Sequence, residues 1–321
     1  MRPFLWRLGA LMVLTVASGM AAAADEPQPS PTIAASALFS RFETVFYANR
    51  DVISSSGSYR AFPKQDTATL LYPFSYLLAA LDNLDANARA QLIENSSSTL
   101  VGAKDFLPPV GLGRVHSSLC YIVVLGEGSK FKLAEHFTTN SSQSGVLRVW
   151  GWAPRLGEFG EDDQSPSSLY ATQLSDRYVL VSNHPDELRQ VAERLGSPAH
   201  VPMATVLKDW QLVSQRPFWG YRRYKHTQPK DSVAAGTTDV TAGAEALIFF
   251  VDGDKNAGVL RLVSSPDDEQ TAANINARAV VPRFKRDGPG RWETVIQMSG
   301  DEDSFEHLFA VMVFFGFGVY V

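Results

Sequence analysis

The sequence predicts an α+β fold: a helical N-terminal part followed by two related units, each an antiparallel sheet carrying a helix. Three observations carry that expectation. Apolar residues early in the chain recur at helical spacing, whereas from residue 119 onward the chain reads as short β-rich runs, the first of them ended by Gly126 and Gly128. A succession of strand pair, later strand, Ser-containing corner, acids and amphipathic helix then occurs twice, a weak internal repeat.

The first element is an export signal. Arg2 and Arg7 precede an apolar run over 8–16, and Ser18, Gly19 and alanines 21–24 follow. The apolar core is shorter than the ~20 residues a spanning helix needs, and the small residues after it suit a signal peptidase. Residues 1–24 are therefore expected to be a signal peptide cleaved near Ala24, with the acidic, Pro-rich residues 25–34 as a linker. A retained anchor is the rival reading, since residues 19–24 can lengthen the apolar stretch. The expected location is periplasmic or secreted.

Cleavage removes two arginines, so the formal balance moves from -5 to -7. An acidic protein is a poor partner for nucleic acid. The single cysteine, Cys120, excludes an internal disulfide, so stability has to come from packing. Two units are expected, 35–200 with the helical start and 201–321.

In the first unit, Leu38, Phe42, Val45 and Phe46 share a face at helical spacing, and Leu70, Phe74, Leu77, Leu78 and Leu81 form a second stripe interrupted by Pro73. Asp85 caps a short helix through Leu92 and Ile93, closed by the polar run 95–99, and Pro108 and Pro109 mark a boundary. Runs 120–125, 146–152, 169–174 and 178–181 read as strands. His184, Pro185, Asp186 and Glu187 then open a helix, with Pro in its first turn, acids at the positive end of the dipole, and Leu188, Val191, Ala192 and Leu195 as its apolar face.

In the second unit, 246–251 and 258–263 read as a hairpin around 252–256, the segment 229–242 as a loop, and 293–298 as a later strand. Ser299 and Glu302 stand at capping-box spacing before a final helix with Phe305, Leu308, Phe309 and Met312 on its apolar face.

Candidate sites are few. Cys120 with His116 would make a thiolate nucleophile if the imidazole lay beside it, but Cys120 sits in an apolar strand and reads as core. His184, Asp186 and Glu187 place an imidazole and two carboxylates at one helix start, where acid–base chemistry can be arranged; helix capping explains the same acids. Asp252, Asp254 and Asn256 have the oxygen spacing that opens a calcium loop, but Ala257 and Val263 stand where glycine and a closing glutamate belong, so the segment reads as a hairpin turn. Gly126, Gly128 and Lys130 lack the rest of a phosphate-binding fingerprint. No motif implies a cofactor or a metal.

The most unusual composition is 216–226, where Arg216, Arg222, Arg223 and Lys225 interleave with Trp219, Tyr221 and Tyr224 in an acidic chain. Guanidinium groups and aromatic faces together suit a glycan, an anionic lipid headgroup or an acidic protein patch; a strand with aromatics inward and cations outward is the plainer reading. Residues 308–321 carry no charge, and are expected to dock as core, with contact to a membrane surface as the alternative. The functional expectation is an exported, non-catalytic binding or scaffold protein of the bacterial cell envelope. An exported hydrolase is the alternative, its site assembled where His116, His136 or His184 meets carboxylates distant in sequence.

Overall fold

A computed structural model describes residues 31–55, 91–92, 94–104, 118–136, 141–144, 147–152, 169–182, 184–197, 202–224, 244–265, 273 and 283–297. These form a mixed α+β fold. In chain order the elements are α1 (Pro31–Phe39), β1 (Thr44–Asn49), α2 (Arg50–Ser55), β2 (Ser96–Lys104), β3 (Ser118–Leu125), α3 (Leu133–His136), β4 (Ser141–Ser144), β5 (Leu147–Trp152), β6 (Leu169–Leu174) and β7 (Tyr178–Ser182). They continue with α4 (Pro185–Leu195), α5 (Met203–Val206), α6 (Trp210–Ser214), β8 (Phe218–Arg223), β9 (Ala244–Asp252), β10 (Ala257–Ser264), β11 (Lys285–Gly288) and β12 (Arg291–Gln297).

The strands expected in two separate units join edge to edge. Among the described residues there is one sheet of twelve strands, in the order β11-β12-β10-β9-β8-β1-β2-β3-β7-β6-β5-β4, with β1 and β8 pairing antiparallel at the junction. Both faces of the middle strands are buried. On one face α1, α4, α5 and α6 pack Leu38, Leu188, Val191, Met203 and Trp210 against Val45, Leu100, Ile122, Leu180, Trp219 and Ile248. On the other, Phe46, Val101, Tyr121, Val123 and Val179 lie beneath Leu92, Phe131 and Leu133.

Several element lengths and registers recur. β1 and β8 have six residues each, β2 and β9 nine, β3 and β10 eight. The β2/β3 ladder shifts register between Ser96 and Ser98 where it reaches Leu125, and the β9/β10 ladder shifts between Val263 and Ser264 where it reaches Ala244. At the ends of the β1–β8 pair two hydrogen bonds reciprocate: Asn49 N–H donates to Pro217 O at 2.6 Å and Arg223 N–H to Glu43 O at 2.8 Å.

Two expectations fail on β1 and β2. Val45 and Phe46 do not continue a helix, because α1 stops at Phe39, the chain turns through Ser40–Glu43, and β1 sends Val45 and Phe46 to opposite faces. Burial on both sides removes the alternation that would have marked a strand. The run 95–99 closes the helix through Leu92 only at its first residue: Glu94 and Asn95 are still helical, and Ser96 already begins β2, where Ser96, Ser98 and Thr99 are buried and Ser97 Oγ donates to Val124 O. The stretches 120–125, 169–174, 178–181, 246–251, 258–263 and the helix after His184 are strands and a helix as expected. The signal segment 1–24, the stripe from Leu70 to Leu81, Asp85, Ile93, the prolines 108 and 109, the loop 229–242, the final helix after Ser299 and the apolar end 308–321 lie outside the described residues.

One close approach sets how α1 lies on the sheet. A Cβ built on Gly102 of β2 would stand 2.5 Å from Phe42 Cδ2 and 3.0 Å from Leu38 Cδ2, so the helix and the turn after it rest directly on bare backbone.

Candidate functional site

The acids at the start of α4 are the natural place to look for chemistry. His184 holds an extended backbone (φ -127°, ψ 117°) at the N-cap, Pro185 starts the helix, and no side chain caps it. The corner is tied from below: Ser182 Oγ donates to Leu119 O at 2.6 Å and accepts the His184 N–H at 3.1 Å. The amphipathic face of α4 then buries Leu188, Val191 and Ala192 on the sheet, and this docking brings Glu187 over the α1–β1 turn.

Glu187 is committed on both oxygens. Arg41 donates Nε to Oε2 at 2.8 Å and Nη2 to Oε1 at 3.1 Å, and Lys104 at the end of β2 donates its Nζ to Oε1. The Glu187 side chain is only 12% exposed. Burial alone would raise its pKa, but the hydrogen bonds and charges of Arg41 and Lys104 outweigh it and hold the carboxyl below the usual value. Lys104 also lies over the Phe42 ring, 5.6 Å from its centroid. Such an acid stays ionised, clamps three elements together, and has no proton to give near neutral pH.

The other two members of the cluster are not drawn in. Asp186 is exposed and pairs with Arg189 at 3.0 Å, one turn along the same helix. The His184 side chain forms no hydrogen bond with either acid among the described residues. Cys120 lies fully buried under this corner, and burial, with the nearby Glu187 charge, pushes its thiol well above the ordinary range, which leaves it a core residue. His116 is outside the described residues, and His136 ends α3.

No family model and no curated protein matches the chain. Solved structures do resemble it at low identity. Crystal form III of TP0453 shares 7% identity with a TM-score of 0.42, covering 85% of this chain and 96% of that one. Crystal form I of TP0453 shares 6% with a TM-score of 0.42, covering 89% and 98%. The functional reading therefore rests on the side chains.

A second polar cluster was not anticipated from the sequence. Asp209, in left-handed backbone (φ 56°) before α6, accepts two hydrogen bonds from Arg291 Nε at 3.1 and 3.0 Å and one from Nη2 at 2.7 Å. Arg261 reaches the same acid at 3.3 Å and also Glu293 and Asp287, each at 2.8 Å. Burial works against ionisation of Asp209, yet Arg291 and Arg261 hold its pKa below the usual value. Strand alternation carried a partial signal: Arg261 and Glu293 are directly opposed on β10 and β12. Asp209 came from a turn some fifty residues away, and nothing in its neighbourhood announced the contact.

The basic-aromatic segment is divided by the sheet. Trp219 and Tyr221 are 1% and 2% exposed, packed with Phe39, Tyr47 and Trp210 across ring centroids 5.4–6.4 Å apart, so they offer no stacking platform. This corrects the expectation that they take part in binding: β8 is an interior strand, paired with β9 on one edge and β1 on the other, and Trp219 and Tyr221 both project into the helix-face core. Arg216 lies 5.0 Å from the Phe250 centroid and 3.7 Å from Asp252. Arg222 sits 5.1 Å from the Tyr224 centroid, and Arg223 donates to Phe39 O at 3.2 Å. Arg222, Arg223 and Tyr224 are half-buried, and Lys225 lies outside the described residues.

The remaining candidates are turns. Asp252 closes the β9–β10 hairpin, accepts the Lys255 N–H at 3.4 Å, and has Arg216 and Lys255 as cations at 3.7 Å, so its carboxylate is already answered. Gly128 takes φ 74° in the turn after β3, a conformation glycine adopts without strain.

Proposed function

We propose that the chain is an exported, non-catalytic binding or scaffold protein of the bacterial cell envelope, built from two related α+β units that share one sheet. The observation that carries the non-catalytic reading is Glu187, the acid best placed for chemistry, whose two oxygens hold Arg41 and Lys104 between α4, β2 and the α1–β1 turn. Asp209 and Asp252 are engaged in the same way. No helix among the described residues is long and apolar enough to cross a membrane.

The relation between the units is supported by register. Setting Phe46 on Gly220 carries β1 onto β8; the same correspondence carries β2 onto β9, β3 onto β10 and β7 onto the start of β12, and apart from Thr44–Ala103 each cross-strand pair of β1/β2, β2/β3 and β3/β7 falls on a pair of β8/β9, β9/β10 and β10/β12. Even the register breaks coincide, Ser96 opposite Leu125 falling on Ala244 opposite Ser264. A β-bulge is a specific device, and two at matching places favour one ancestral unit used twice.

The partner we propose is an envelope component, whether protein, glycan or lipid headgroup, met at the Arg222, Arg223, Tyr224 and Lys225 end of β8, with residues 308–321 as a contact to the membrane surface. Capture from envelope extract with the mature chain, residues 25–321, tests this. A component retained by wild type and lost from the Arg222→Ser/Arg223→Ser/Lys225→Ser variant supports the proposal. Hydrolytic turnover by purified protein that disappears in Glu187→Gln would instead establish the exported-hydrolase reading.

A further inference from the structure

The β1–β8 junction is the place where the two proposed units meet, and its geometry is that of a two-fold dimer interface inside one chain. The reciprocal bonds from Asn49 to Pro217 and from Arg223 to Glu43 stand at equal distances either side of the Phe46–Gly220 pair. That pair is non-hydrogen-bonded, the kind in which facing side chains come closest. On the helix face, Tyr47 and Tyr221 occupy equivalent places and pack with Trp219, Trp210 and Phe39 drawn from both halves.

The symmetry fails at its own axis. Phe46 projects to the second face of the sheet, where a Cβ on Gly220 would meet its ring, with Cδ1 at 2.6 Å. Phenylalanine on one strand fills the space that glycine leaves on the other. Two phenylalanines in this geometry would place ring against ring, and two glycines would leave a void; both cost stability in a packed interior.

We infer that the seam derives from a symmetric pairing of like units, and that Phe46 and Gly220 are the residues that now determine its specificity, matching each half to the other half and not to a copy of itself. The inference rests on the reading of the halves as related units. A knob set into a hole at the axis makes the mixed pair better than either like pair, which is how an interface distinguishes partners it could otherwise confuse.

A double-mutant cycle on the mature chain tests it, with thermal midpoints of wild type, Phe46→Gly, Gly220→Phe and the exchanged variant Phe46→Gly/Gly220→Phe. Each single variant is expected to lower the midpoint by about 4 °C or more. The exchanged variant, with knob and hole reversed, is expected to recover more than half of the larger loss. If the exchanged variant loses as much as the two singles added together, the inference is overturned. Should Gly220→Phe not fold, Gly220→Ala replaces it, and a midpoint equal to wild type overturns the inference. Nuclear Overhauser contacts in wild type between the α-protons of Phe46 and Gly220 separate the two levels of the argument. Their absence means that the register, and with it the related-unit reading, fails; their presence without recovery in the cycle defeats the specificity role alone.

Discussion

At the scale of the residue, the polar clusters are structural fasteners with a definite pH signature. Glu187 and Asp209 both titrate below their usual values because the cations beside them favour the charged form. A depressed carboxyl contributes stability that is complete above the unfolded pKa, about 4, and that is lost as the pH falls through the lower folded value. The urea midpoint should therefore stay level from pH 7 to about 5 and drop below about 4, and the drop should shrink in the Glu187→Gln/Asp209→Asn variant. A midpoint that falls already between pH 7 and 5 would show that other groups control acid stability. The sequence offered Glu187 as a candidate because of its place in the first turn of a helix, but its partners Arg41 and Lys104 lie 146 and 83 residues away, and no spacing rule connects them. Trp219 and Tyr221 misled for a related reason, since composition alone does not say which strand will be central.

At the scale of the element, legibility followed boundary signals. The helix after His184 was plain in the sequence because it has a start signal and one dominant period, and the hairpin 246–263 because a polar turn separates two apolar β-rich runs. β1 and β2 were not, since strands buried on both faces lose their alternation, and serines 96 to 98 look like a helix end until Ser96 and Ser98 are seen paired in the sheet, with the Ser97 hydroxyl bonded to Val124 O. The fit of α1 onto β2 depends on Gly102, where any side chain collides with Phe42. Gly102→Ala should cost about 1–3 kcal/mol, the usual penalty for overpacking. Gly126→Ala is its control: the nearest atom to an added Cβ there is Asn95 O at 3.5 Å, an ordinary contact, and its unfolding free energy should move by less than about 0.5 kcal/mol. Equal effects of the two substitutions in urea denaturation would count against the packing account.

At the scale of the whole molecule, the expected α+β class holds, while the pair of separate sheets becomes one. The junction could not be read from sequence because β1 and β8 lie more than 160 residues apart and carry no complementary pattern, apart from a phenylalanine facing a glycine. A shared sheet has a thermodynamic consequence. The helix-face core draws Val45, Tyr47 and Leu100 together with Trp219, Ile248 and Phe250, so the halves have no separate interiors on that side. Strands paired through a common core are expected to unfold together.

The central claim is that this is one cooperative sheet braced by its buried acids, and differential scanning calorimetry of residues 25–321 with and without Glu187→Gln tests it most directly. Removing one partner of a largely buried ion pair leaves cations uncompensated, and with Arg41 partly exposed the loss should be about 1–3 kcal/mol. The account predicts a single transition for wild type and a single transition at lower temperature for Glu187→Gln. Two resolved transitions in wild type, or a Glu187→Gln variant that melts at or above the wild-type temperature as a strained catalytic acid would allow, would contradict it.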